Sequence, residues 1–343
     1  AANYFANFGP LPALGLAGAF KGLARQERDL RMEHIETDIL VIGGGSGGLS
    51  VAAGAVQMGA RVVLLEGHKM GGDCLNYGCV PSKALLAAAA VAHGQGGNAA
   101  MGVEPGRASI DYGKAKDFVA SVIGQIAPHD SVERFEGLGV TVIEAFGRFI
   151  SPTEVQAGER VITARRIVIA TGSSPFVPPI PGLSEVPYYT NETIFDLRAR
   201  PDHLLVIGGG PIGMETAQAH RRLGSKVTVI EGQKVFAKDD PELAAILVQK
   251  LRDEGIEIVE GALAQSVSGS GGDITVSTSG GSFCGTHLLM AVGRKANIER
   301  LNLEAAGVAC DRTGIKVDAG LRSSNRRVYA IGDVAGGLQF THV

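Results

Sequence analysis

Tryptophan is absent from the 343 residues, aromatic side chains make up 5%, and only four cysteines occur. Spread as Cys74, Cys79, Cys284 and Cys310, they are too few for a disulfide-stapled secreted scaffold. An excess of either charge is also missing. The 32 Lys and Arg nearly balance the 35 Asp and Glu, leaving a net charge of −3. That balance argues against nucleic acid or an acidic membrane surface as the main partner. No apolar run approaches the ~20 residues needed to span a bilayer. The expected compartment is a reducing cytoplasm.

Glycine is plentiful, at 49 residues in discrete clusters without a collagen-like period. Two of these clusters echo each other. "DILVIGGGSGGLSVAAGAVQMGARVVLLEG", from Asp38, aligns without a gap with "HLLVIGGGPIGMETAQAHRRLGSKVTVIEG", from His203, at an offset of 165. Each reads as strand, G-x-G-x-x-G, helix, second strand and acid. The glycines are Gly43, Gly45 and Gly48 in the first copy and Gly208, Gly210 and Gly213 in the second. The acids, Glu66 and Glu231, each lie 23 residues after the first glycine of their set.

This grammar has a physical reason. The first glycine makes the tight turn after the strand, the second admits a pyrophosphate, and the third lets helix and strand pack closely. The helix N-terminus offers unpaired N–H groups to phosphate. The acid accepts hydrogen bonds from ribose hydroxyls. Two dinucleotides are therefore expected. Glu231 repels a 2′-phosphate, which favours NAD over NADP at the second site. The neighbouring Lys234 and Lys238 read as a solvated face.

Soon after the first copy comes "GGDCLNYGCVPSKALL", Gly71 to Leu86. A structural zinc needs four ligands, and nothing near Cys74 and Cys79 supplies the other two. Cys284 and Cys310, singletons far along the chain, read as small buried hydrophobes. On a regular helix Cys74 and Cys79 stand about 7.5 Å apart along the axis. A disulfide wants Cα atoms within roughly 4.4–6.8 Å, so bridging requires an unwound turn. Gly78 and Pro81 supply residues suited to one. Beside a dinucleotide unit, such a pair reads as redox-active.

The segment "GGDCLNYGCVPSK" resembles the active-site stretch of the class I pyridine nucleotide–disulfide oxidoreductases, FAD enzymes such as dihydrolipoamide dehydrogenase and mercuric reductase. "VIATGSSP" at Val168, the "GME" ending at Glu215, "AVGRKAN" at Ala291 and "VYAIGDVAG" at Val328 agree in order. The resemblance covers Thr37 to Val343 and implies an α/β fold with two Rossmann-like domains of the glutathione-reductase type. It puts an FAD-binding domain at 37–188 and 310–343, a NAD-binding domain at 189–309, and an extension at 1–36.

By resemblance, Cys79 is the sulfur nearer the flavin and Cys74 the exchange thiol, with Lys83 and Glu215 as an ion pair beside the flavin. Gly72, Asp73, Gly147, Thr171, Gly172, Gly332, Asp333 and Thr341 fall at FAD contacts, and Gly293 at the second nucleotide. The implied activity moves electrons between NAD(H) and a dithiol or disulfide, small or protein-bound, most like dihydrolipoamide dehydrogenase. A metal ion, as in a mercuric reductase-like enzyme, is the alternative, and so is a cysteine-independent NADH or quinone oxidoreductase. A flavin-binding scaffold without catalysis is a third reading. No resident metal is expected. Asp73 stands where many relatives carry Thr, and Pro211 where several carry an aromatic residue. Relatives continue into an interface domain that makes a homodimer and carries a His–Glu pair. Nothing in this sequence matches that domain, so the chain is expected to be part of a longer protein.

Overall fold

A computed structural model describes residues 32–97 and 109–337, with 101, 102, 104 and 106 between them. The first half runs β1 (Glu33–Ile42), α1 (Ser46–Gln57), β2 (Val62–Leu65), α2 (Gly72–Asn76), α3 (Cys79–Gly94), α4 (Tyr112–Ile126) and α5 (Val132–Gly137). It continues through β3 (Val140–Ile143), β4 (Gly147–Phe149), β5 (Glu154–Ala157), β6 (Arg160–Ile169) and β7 (Ser173–Pro175). The second half carries β8 (His203–Ile207), α6 (Pro211–Arg222), β9 (Lys226–Ile230), α7 (Pro241–Asp253), β10 (Glu257–Val259) and β11 (Ala264–Ser270). After it come β12 (Asp273–Thr278), β13 (Gly281–Gly285), β14 (His287–Met290), β15 (Arg294–Ala296), β16 (Cys310–Asp311), β17 (Gly314–Ile315) and β18 (Val328–Ala330).

The strands of the first sheet lie in the order β3-β2-β1-β6-β5-β4, with β18 also on β6. β1, β2, β3, β6 and β18 are mutually parallel, whereas β5 runs antiparallel to β6 and β4 to β5. Strands buried on both faces must be apolar throughout, as "ILVI" in β1 is. Leu40 and Ile42 face one core and Val41 the other. The second sheet, β10-β9-β8-β14, is parallel throughout. It repeats the β3-β2-β1-β6 order of the first, so the 165-residue echo is one of topology as well. A three-stranded antiparallel sheet, β11-β12-β13, flanks it.

The chain crosses between the two bodies twice, and the crossings pair as β7 with β15. Packing puts them away from the expected boundaries at 189 and 309. Leu183 and Val186 lie in the second core, while Leu301, Leu303, Ala306 and Val308 lie in the first. The sequence hides this because short apolar segments on either side of a crossing carry no label for the sheet they will cover.

The expectation about membrane-length runs needs correcting. Gly72–Gly94 is 23 residues long and apolar enough to pass by length and composition. Six of its residues are alanine, and it breaks at Tyr77–Gly78 between α2 and α3. Ala84, Leu85 and Ala89 of α3 pack with Tyr112 and Val119 of α4 and with Ala219 and Leu223 at the end of α6. This cluster fastens the first body to the second.

A polar relay runs through the same seam. His220 is fully buried, its Nδ1 donating to the Thr216 carbonyl at 2.8 Å and its Nε2 accepting from the Tyr112 hydroxyl at 3.0 Å. Beside it the buried Lys116 donates to the Ile194 carbonyl at 3.1 Å and lies over the rings of Phe195 and Tyr112. Burial pushes His220 down to about 4 and Lys116 down to about 8. The unfolded imidazole takes a proton near 6.5, so the folded state loses stability as pH falls from about 6.5 towards 4. In urea titrations at pH 7 and pH 4.5, the wild type is expected to lose up to about 3 kcal/mol from this group. His220→Gln should flatten that loss, with lower stability at pH 7.

Candidate active site

Both glycine turns close in the same way. Gly43 and Gly208 each have φ of +112°, and a Cβ on either would fall within 2.4 Å of a strand carbonyl, Ala170 O or Ala291 O. A Cβ on Gly48 would fall 1.8 Å from Gly43 O, and one on Gly213 2.2 Å from Gly208 O. Helices α1 and α6 therefore press directly on the strand ends that feed them, and any side chain there would force them apart.

The acids are held by the same turns. Glu66 accepts from Gly44 N–H at 2.7 Å and His68 N–H at 2.6 Å. Glu231 accepts from Gly209 N–H at 2.7 Å and Gln233 N–H at 2.8 Å. The two copies thus agree bond by bond at the 165-residue offset. Each carboxylate is fixed beside the open mouth of its glycine turn with lone pairs to spare. A dinucleotide ribose and pyrophosphate fit both places by the chemistry of their donors and acceptors.

One cavity of about 1550 Å³ joins the two turns. Gly43, Gly45 and Glu66 line it on the first side, and Gly208, Gly210, Glu231 and Gly293 on the second. Gly72, Asp73, Gly147, Thr171 and Gly172 lie on its wall, as do Gly332 and Asp333. Gly48 and Gly213 are buried at the helix starts behind the wall. Thr341 lies outside the described residues. Pro211, at the first position of α6, also faces the cavity.

Cys74 and Cys79 are half-buried on the same wall, whereas Cys284 and Cys310, expected to be buried, are exposed on the short strands β13 and β16. The unwound turn expected between them is present: α2 ends at Asn76, and Gly78, with φ of −120° and ψ of −110°, precedes α3. Pro81 occupies the first turn of α3, where its missing N–H deprives the helix of no bond. One turn further on, Lys83 Nζ sits 2.7 Å from both oxygens of Glu215. This pair spans the two bodies, from α3 to α6. It is partly exposed, so its worth lies in orienting a positive charge at the cavity rather than in stability.

Motif reading passed over the connections behind the wall. Arg294, within the quoted "AVGRKAN", is nearly buried and donates to the Ser173 hydroxyl and carbonyl, each at 2.7 Å. Its Nη2 lies 3.0 Å from Asp73 Oδ1 and its Nε 3.7 Å from Asp333 Oδ2. Ser173 in turn donates to Asp333 at 2.5 Å. The carboxylate at position 73 is thus paired and part-exposed. At the other end of the cavity Arg300 stacks 4.3 Å from the centre of the Phe146 ring. No local signal marks Ser173 or Phe146, because their partners lie more than a hundred residues away.

Gly48→Ala is expected to cost about 1–3 kcal/mol or more of stability through overpacking. It should also abolish retention of FAD, read as the ratio of flavin to protein absorbance after gel filtration.

The sequence matches the pyridine nucleotide-disulphide oxidoreductase family over residues 37–343. It is 37% identical over 327 residues to the mercuric reductase of Acidithiobacillus ferrooxidans, covering 90% of this chain and 58% of that protein. With the dihydrolipoyl dehydrogenase of Chlamydia muridarum it shares 35% over 317 residues, covering 89% and 67%. The solved structure of the HOCl-induced flavoprotein disulfide reductase RclA from Escherichia coli superposes with a TM-score of 0.80 at 29% identity. That match covers 89% of this chain and 68% of RclA. The chain therefore spans somewhat more than half the length of the mercuric reductase. The family is FAD-dependent, with a nicotinamide dinucleotide as electron donor. The two closed glycine turns, the interrupted cysteine helix and this match place the chain in the pyridine nucleotide–disulphide oxidoreductase family.

Proposed function

We propose that the protein moves electrons between NAD(H) and a dithiol or disulfide substrate through FAD and the Cys74–Cys79 pair. One observation carries this reading: both dinucleotide turns and both cysteines line a single cavity. Bound FAD supplies the two-electron chemistry between nicotinamide and sulfur. The chain's own groups bind, orient and compensate charge. The turn at Gly43–Gly48 and the Glu66 carboxylate hold the first dinucleotide, and the turn at Gly208–Gly213 and Glu231 the second. Lys83, steered by Glu215, keeps positive charge on the wall where negative charge develops. Cys74 is the thiol that meets the substrate, and Cys79 lies behind it at the start of α3.

Glu231 supports NAD over NADP, since a 2′-phosphate beside this fixed carboxylate meets repulsion. A second reading rests on the relatives. Mercuric reductases at 32–37% identity favour a soft metal ion as substrate, and a thiolate pair is suited to one. Both readings use the same sulfurs, so substrate assays separate them.

Cys74→Ser is expected to lower turnover of lipoamide or Hg(II) by roughly 100-fold or more, while NADH still bleaches the flavin in anaerobic stopped-flow. Unchanged turnover would sink the cysteine route and leave a cysteine-independent oxidase. In the same assay the wild type should show a KM for NADH at least about tenfold below that for NADPH. Glu231→Ser should narrow that gap.

A further inference from the structure

We propose that Asp73 is a positioning residue for the Cys74–Cys79 pair: its carboxylate ties the break between α2 and α3 to the second body, and neutralising it makes the pair easier to reduce. The inference rests on the reading of these two cysteines as a redox pair. It concerns what sets their poise, not what they act on.

Three groups converge on the break. Asp73 Oδ1 takes Arg294 Nη2 at 3.0 Å and Asn191 Nδ2 at 3.1 Å. The same Asn191 amide donates to the carbonyl of Tyr77 at 3.3 Å, inside the break. Asp73 Oδ2 faces Gly78 so closely that a Cβ there would lie 2.8 Å from it. The carboxylate therefore fills the space under the two residues, Tyr77 and Gly78, that separate the helices. Both donors are fixed, Asn191 being 6% exposed and the Arg294 side chain 9%.

Neither donor belongs to the cysteine segment. Asn191 follows Tyr189, whose N–H and carbonyl bond to Leu288 O and Met290 N of β14, each at 2.8 Å. Arg294 opens β15, pairs with β7 and shares its charge with Asp333. The geometry of the break is thus referred to the second sheet and to the crossing, not set by α2 and α3 alone.

Two effects of removing the charge point the same way. Two thiols held on a fixed turn bridge readily because the turn keeps them together, and a looser turn lowers that advantage. Without the carboxylate Arg294 is also left less compensated beside the break, which favours negative charge there. Stabilising the reduced form makes a pair more oxidising. A merely structural role predicts lower stability with no change in poise.

The test equilibrates the FAD-loaded chain in glutathione buffers. Two glutathione thiols give up two electrons and form glutathione disulfide, and the Cys74–Cys79 bridge becomes two thiols. Trapping with iodoacetamide and peptide mass spectrometry reads the bridged fraction. Asp73→Asn and Asp73→Ser should each shift the constant at least tenfold towards the dithiol, about 30 mV. Asp73→Glu, which keeps the charge, should move it less. A folded neutral variant within threefold of wild type overturns the proposal. So does failure of both neutral variants to fold, since the carboxylate would then serve the fold itself. A wild-type pair that never bridges in any buffer overturns the redox reading, a different result from a bridging pair indifferent to Asp73.

Discussion

A strand end closed by the helix that follows it is the constraint on which the molecule depends. In each half the first and third glycines of the turn have no room for a Cβ, the first because it lies against a neighbouring strand's carbonyl and the third because the helix start lies against the carbonyl of the turn itself. That close approach aims the first turn of α1 and of α6 across the sheet edge. It also brings the acid of the next strand within hydrogen-bonding distance of the turn. The aim of the helix and the cradle beside the strand end follow from one steric condition, met twice.

The second requirement is that the two cradles face each other. Small side chains achieve this. Ala84 and Ala89 on α3, and Ala219 on α6, let the helices approach closely, with Tyr112 and Leu223 filling the remaining space. The paired crossings β7 and β15 fix the bodies at the opposite edge. Lys83–Glu215 and Arg294–Asp73 then span the gap between them. Functional charge is placed at the seam between two bodies, where neither body alone determines its surroundings. Buried Lys116 and His220 lie in the same seam, where burial disfavours the charged form of each.

Much of this was legible in the sequence. The two glycine fingerprints, their acids and the interrupted cysteine helix all rest on local rules: a turn that needs glycine, a strand that ends in an acid, a break marked by Gly78 and Pro81. Helices α3 and α4 and the strands from Val140 to Ile169 fall where apolar periodicity puts them. The boundaries of the two bodies were misplaced, because Leu183 and Leu301 are ordinary apolar residues until one knows which sheet they cover. The partners of Asp73 were hidden for a related reason, since they lie 118 residues away at Asn191 and farther still at Arg294.

By itself, then, the sequence determined the repeated unit, the glycines and acids that build its two turns, and the presence of a cysteine pair on an unwound turn. These depend on neighbours within about thirty residues, where steric rules act directly on the chain. Only the tertiary structure decided that the two cradles share one cavity, while the Lys83–Glu215 pair was implied by resemblance and is formed by packing α3 against α6. The tertiary structure alone set Asp73 under the cysteine turn between Arg294 and Asn191. Such contacts join residues distant in sequence, and a side chain's charge says nothing of its partner until packing has chosen one.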